Sequence, residues 1–125
     1  MFFRRTFLVA AIVAASATTA AADTYLGSYV ARISGHDHEA SDGYPLESAA
    51  QIVRQDRANY HKFGRIDAED TGDSWFASAK ARGRLQNMLE RGGAMDSRTR
   101  RAIVNGSPLI EVEVYQRSVK VFLLR

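Results

Sequence analysis

The sequence predicts an α+β fold: an N-terminal strand, two to three helices and a C-terminal antiparallel β-hairpin, the strands forming a small sheet covered by the helices. Three observations carry this expectation. Apolar residues alternate with polar ones in two consecutive runs between Ile110 and Leu123, the period that a half-buried strand imposes. Ala49, Ile52, Val53, Asp56, Tyr60 and Phe63 recur at helical spacing, and Gly64 follows as a stop. Tyr25–Ile33 is dense in aromatic and branched residues, as strands are. With 125 residues, 46% of them hydrophobic and 25% charged, the chain has room for one domain and is neither disordered nor a multi-span membrane protein. It has no cysteine, which excludes disulfides, thiolate metal sites and cysteine nucleophiles together.

Residues 1–22 read as a cleavable signal peptide, and residues 23–125 as the domain. Arg4 and Arg5 form a basic start, Phe7–Ala15 an apolar centre, and Ala20-Ala21-Ala22 a small-residue cleavage site before Asp23. The uncharged run from Thr6 to Ala22 falls short of the about 20 apolar residues a bilayer span needs, and Ser16, Thr18 and Thr19 dilute it. No transmembrane segment is therefore expected after cleavage. Arg4-Arg5-Thr6-Phe7-Leu8 also resembles the core of a twin-arginine signal, with Phe3 where Ser or Thr is usual, so that route is an alternative to ordinary secretion. Either way the expected destination is the periplasm or the medium. Losing Arg4 and Arg5 lowers the net charge from +3 to +1, so a strongly basic mature protein is not implied.

The elements follow in order. Tyr25–Ile33 is the first strand, its buried face left open by imperfect alternation, and Ser34–Pro45 is a polar loop. A helix starts around Glu47 or Ser48 and ends near Gly64, with Asp56 interrupting its apolar stripe. Arg65–Asp73 is an acid-rich second loop. Ala79–Arg91 is helical again, with Leu85, Met88 and Leu89 as its contacts and Gly92-Gly93 as terminator; Asp96 or Ser97 caps a short third helix closed by Asn105-Gly106. A turn at Gln116-Arg117 sets Val114 opposite Val119, Val112 opposite Val121 and Ile110 opposite Leu123 on one face, and Glu113 opposite Lys120 on the other. That turn lacks the Gly or Asn usual in tight hairpins.

Several residue groups carry candidate chemistry. His36-Asp37-His38-Glu39 is the densest set of potential ligands. In an extended segment His36 and His38 point the same way, so His36, His38 and Glu39 are the expected metal ligands, with His61 or an acid of the second loop to complete the site. Asp67, Glu69, Thr71, Gly72 and Asp73 match a calcium-loop pattern, but Ser78 stands where the bidentate Glu belongs. Gly72-Asp73-Ser74 resembles a serine-esterase block without the late histidine it requires. Asp56, Asn59 and Tyr60 share a helical face and His61 stacks over Arg57, so Asp56 and His61 are a conceivable acid–base centre or, more simply, anchors of a hydrogen-bonded network. Charge is segregated: Gly35–Ala79 is net −5 and Lys80–Arg101 net +5. Arg98, Arg100 and Arg101 are the candidate partner-binding residues, although the stretch lacks the interleaved aromatics of a nucleic-acid surface and the simplest expectation is that it folds back on the acidic half.

The block Ser48–Gly64 (Ser-Ala-Ala-Gln-Ile-Val-Arg-Gln-Asp-Arg-Ala-Asn-Tyr-His-Lys-Phe-Gly) resembles short exported bacterial proteins of no assigned function, and the likeness extends loosely from the first strand to Asn105-Gly106. It implies one small domain behind a signal peptide and no activity. The leading expectation is an exported, non-enzymatic domain that binds a protein or an envelope component, without nucleic acid and without a cofactor. The alternative is a small protein that binds a divalent metal through the His36–Glu39 loop. A hydrolase centred on Asp56 and His61 ranks last.

Overall fold

The computed structural model describes residues 22–125. The expected leader, with its twin-arginine-like motif and its cleavage site, lies outside the described residues except for Ala22. Three strands, β1 (Tyr25–Arg32), β2 (Leu109–Tyr115) and β3 (Val119–Leu123), form one antiparallel sheet in the order β1-β2-β3. Helices α1 (Ala49–His61), α2 (Ala79–Leu89) and α3 (Ser97–Asn105) pack against one face, as the α+β expectation required, and a single 3-10 turn spans Gly35–His38.

The hairpin has the expected register: Ile110, Val112 and Val114 pair with Leu123, Val121 and Val119, and Glu113 pairs with Lys120. Its turn is closed from the far end of the sequence. Asp23 accepts the backbone N–H of Arg117 at 2.8 Å and the Ser118 hydroxyl, and Gln116 N–H donates to the Thr24 carbonyl. A carboxylate distant in sequence thus does what a local Asn or Gly does elsewhere. Alternation puts Tyr29, Ala31 and Ile33 on the buried face of β1, packed with Ile52, Val53, Leu85, Leu89, Ile103, Ile110 and Val112.

Each helix starts on a short polar side chain that accepts an otherwise orphan N–H: Ser48 from Gln51, Ser78 from Ala81 and Asp96 from Thr99. Helix α1 ends at His61, before Gly64 (φ 64°), so Phe63 leaves the apolar stripe and is 43% exposed. The acidic second loop lies along the free edge of β1. Thr71 exchanges hydrogen bonds with Val30 through its Oγ1 and backbone N–H, and Asp70 Oδ1 accepts Arg32 N–H at 2.8 Å. The loop thereby covers one sheet edge and protects it from pairing with another chain. Among the described residues no helix is long and apolar enough to cross a membrane.

Candidate functional site

The first loop turns where the sequence pattern suggested extension. Ser34 precedes the 3-10 turn, its N–H donating to Asp37 Oδ2 at 3.0 Å and its carbonyl accepting Asp37 N–H. In such a turn residues three apart are stacked and residues two apart diverge. His36 and His38 consequently part company: the cluster that forms joins His36 to Asp37 and Asp67, and of the expected ligands His36, His38 and Glu39 it contains His36. His38 bridges two elements, Nδ1 lying 2.8 Å from the Ser34 carbonyl and Nε2 2.9 Å from the Ile103 carbonyl of α3. His38 is thereby engaged in holding the turn against α3. Glu39 is exposed, and its backbone forms a bridge with Pro45.

His36 meets two carboxylates instead. One donor atom each from His36, Asp37 and Asp67 falls within a 4.8 Å circle, Asp67 arriving from the acidic loop. His36 Nε2 is 3.6 Å from Asp37 Oδ1 and 3.7 Å from Asp67 Oδ2. Asp37 is fully buried and is oriented by its surroundings: Asn59 of α1 donates its Nδ2–H to Oδ1 at 2.9 Å and to the His36 carbonyl at 3.2 Å. Gln55 in turn donates to Asn59 Oδ1. The Ser34 hydroxyl sits at the centre, 2.9 Å from both His36 Nε2 and Asp67 Oδ2 and 3.3 Å from Asp37 Oδ2. A hydroxyl carries one proton, so the cluster holds more lone pairs than protons to share among them.

The other candidates resolve differently. Arg57 is fully buried; its Nε donates to Asp56 Oδ2 at 2.8 Å, and its Nη1 donates to Asp73 Oδ2 at 3.0 Å and to the Thr71 carbonyl. The rings of Tyr29 and Tyr60 flank the guanidinium, with centroids at 4.1 and 4.5 Å. His61 Nε2 lies 2.7 Å from Asp73 Oδ2, so Arg57 stands between Asp56 and the His61–Asp73 pair, and Asp56 and His61 form no dyad. Burial pushes the Asp56 carboxyl well above its ordinary range; Arg57 opposes this, and the charges of Asp37 and Asp70 add to it. Burial also works against ionised Asp73, but hydrogen bonds from His61, Phe76 N–H and Arg57 outweigh it and hold that carboxyl low.

The calcium-like residues are engaged separately. Glu69 pairs with Arg32 and Arg125, Asp70 serves the β1 edge, and Asp73 Oδ1 accepts the N–H groups of Trp75 and Phe76. Asp67 alone joins the His36 cluster. Arg98, Arg100 and Arg101 lie on α3, and among the described residues no member of the Lys80–Arg101 basic stretch enters an ion pair. The acidic loop draws on Arg32, Arg57 and Arg125 instead, and Arg82 of the basic stretch donates to the Phe76 and Ala77 carbonyls, so among the described residues the two halves are not joined by close ion pairs. The sequence names Asp67 within the calcium-like pattern but offers the histidine site only an unspecified acid of the second loop, because no local signal says which acid of that loop reaches back across the sheet edge. No protein-family model, curated protein or solved structure matches this chain, and the site stands on its own geometry.

Proposed function

We propose that this is a small protein that binds a divalent transition-metal ion through His36, Asp37 and Asp67. The observation that carries the reading is the convergence of one imidazole and two carboxylates around Ser34, drawn from two loops far apart in sequence. Two donors at about 2.1 Å from one ion and at the tetrahedral angle lie about 3.4 Å apart. The 3.6 and 3.7 Å separations of His36 Nε2 from the two carboxylates are close to that spacing. An imidazole in the set favours zinc, manganese or iron over calcium and magnesium, which take oxygen donors. Asn59 and the Ser34 N–H supply the outer hydrogen bonds that hold a ligating carboxylate in place.

With the leader read as an export signal, the same proposal places the protein in the periplasm or the medium, as a binding module and not an enzyme. Support for binding over turnover comes from the Asp56 and His61 side chains, both of which are spent on the Arg57 network. The test is calorimetry with zinc, manganese and nickel on the wild type and on His36→Ala, Asp67→Asn and Glu39→Ala. His36→Ala and Asp67→Asn should abolish the heat, while exposed Glu39→Ala should leave it unchanged. Binding that survives Asp67→Asn, or is lost in Glu39→Ala, would overturn the ligand set.

A further inference from the structure

A second site lies apart from the metal cluster, sharing none of its residues. Arg84, Asn87 and Met88 follow one another along α2 at helical spacing, and Arg91 stands just past its C-cap, Glu90. These residues, the 74–76 segment and the β2–β3 turn enclose a cleft of about 580 Å³, within the roughly 300–1,000 Å³ that small-molecule sites occupy. Its floor is apolar: Phe76 and Val114 are buried, and Met88 and Trp75 are half-buried.

The indole of Trp75 is placed there by the strand beneath it. Gly27 has φ 154° and marks the irregularity in β1–β2 pairing; a Cβ at that position would stand 2.7 Å from Trp75 Cη2. Only bare backbone lets the ring lie so close to β1.

The rim is cationic. Arg84, Arg91 and Arg117 line the cleft, and among the described residues no acidic one does. Beside the β2–β3 turn Asp23 accepts Arg117 N–H, and behind the floor Asp73 accepts the backbone N–H groups of Trp75 and Phe76. Arg91 Nη1 donates to the Arg117 carbonyl at 2.6 Å, which tethers it to the β2–β3 turn at the mouth. Arg84 is exposed and in no ion pair among the described residues.

We propose that this cleft binds a small amphipathic carboxylate, its apolar body on Trp75, Phe76 and Met88 and its carboxylate on Arg84 and Arg91. An apolar floor without a charged rim would take neutral compounds equally well, and a charged rim without the floor would take any small anion. The juxtaposition of the two selects a ligand that has both parts. It is independent of metal binding.

Trp75 is the only tryptophan of the chain, so its fluorescence reports on this cleft alone. The experiment titrates the protein with dodecanoate below its micelle-forming concentration, and in parallel with dodecanol and with acetate. Dodecanoate should shift or quench the Trp75 emission saturably, and dodecanol and acetate should bind at least about tenfold more weakly, the scale of one charge-assisted hydrogen bond. Arg84→Ala/Arg91→Ala, two exposed positions, should weaken dodecanoate by roughly the same factor or more while leaving the far-UV spectrum unchanged, and Arg84→Ala alone, which breaks no ion pair among the described residues, should weaken it with the melting temperature unchanged. Equal affinity for dodecanol and dodecanoate, equal affinity of the double variant, or the absence of any saturable change by fluorescence and calorimetry would each overturn the proposal.

Discussion

Replacing Arg57 by Met removes the cation that stands between the buried carboxylates of Asp56 and Asp73. Asp56 is 2% exposed, the side chain of Asp73 is fully enclosed, and Arg57 is within 3.0 Å of both. Methionine fills much of the same volume and still packs on the rings of Tyr29 and Tyr60, so the loss is electrostatic more than steric. Breaking a buried pair by removing one partner costs about 3–5 kcal/mol. At roughly 4–8 °C per kcal/mol for a domain near this size, the melting temperature should fall by roughly 12–40 °C. The loss should also depend on pH. The folded-state pKa of Asp56 is already raised by burial, and loss of Arg57, which opposes that burial, raises it further. A carboxyl with a raised folded pKa binds its proton more tightly in the folded than in the unfolded state. Its penalty is therefore absent below the unfolded value, 3.8, and grows as pH climbs towards the folded value. Urea denaturation of wild type and Arg57→Met at pH 4.5 and 7.5 measures this. The variant should be markedly less destabilised at pH 4.5. A cost below about 1 kcal/mol at pH 7.5, or equal costs at both pH values, would refute the assignment of Arg57 as the counter-charge of a buried network.

Three further outcomes are expected. Val112→Asp, at a position with no exposure, should abolish folding because it buries an unpaired charge, whereas Glu113→Ala should cost about 0–1 kcal/mol; thermal melts compare the two. Metal affinity should be weaker at lower pH, because protons compete with the ion for its ligands; calorimetry at pH 5.5 and 7.5 reads the difference. His38→Ala should cost about 1–3 kcal/mol by removing the ring that links the Ser34 and Ile103 carbonyls, while stoichiometric metal binding persists. Loss of the metal in His38→Ala with the fold intact would return that side chain to the ligand set.

What the sequence makes legible is what depends on neighbours along the chain. Strand alternation fixes the β2–β3 register because a slip of one residue would turn every valine outward, and Ser48, Ser78 and Asp96 announce helix starts because a cap acts within three residues. The same local logic misled at two places. Phe63 keeps helical spacing with Tyr60 only while the helix continues, and it ends at His61. His36 and His38 share a side only if the loop is extended, and the reciprocal bonds of Ser34 and Asp37 wind it into a turn. What stayed hidden is what the topology brings together. Segregated charge suggested that the basic half would meet the acidic half, yet the acidic loop is held along β1 by Asp70 and Thr71, and at that edge the available cations are Arg32 and Arg125. The same anchoring delivers Asp67 to His36. Asp67 N–H donates to Asp70 Oδ2, and Asp70 Oδ1 accepts from β1, so the position of one metal-site carboxylate is set by the hydrogen bonds that close the edge of the sheet. Such a dependence can be read only after β1 has a face and an edge, and it means that the candidate metal centre and the protected sheet edge are one piece of structure.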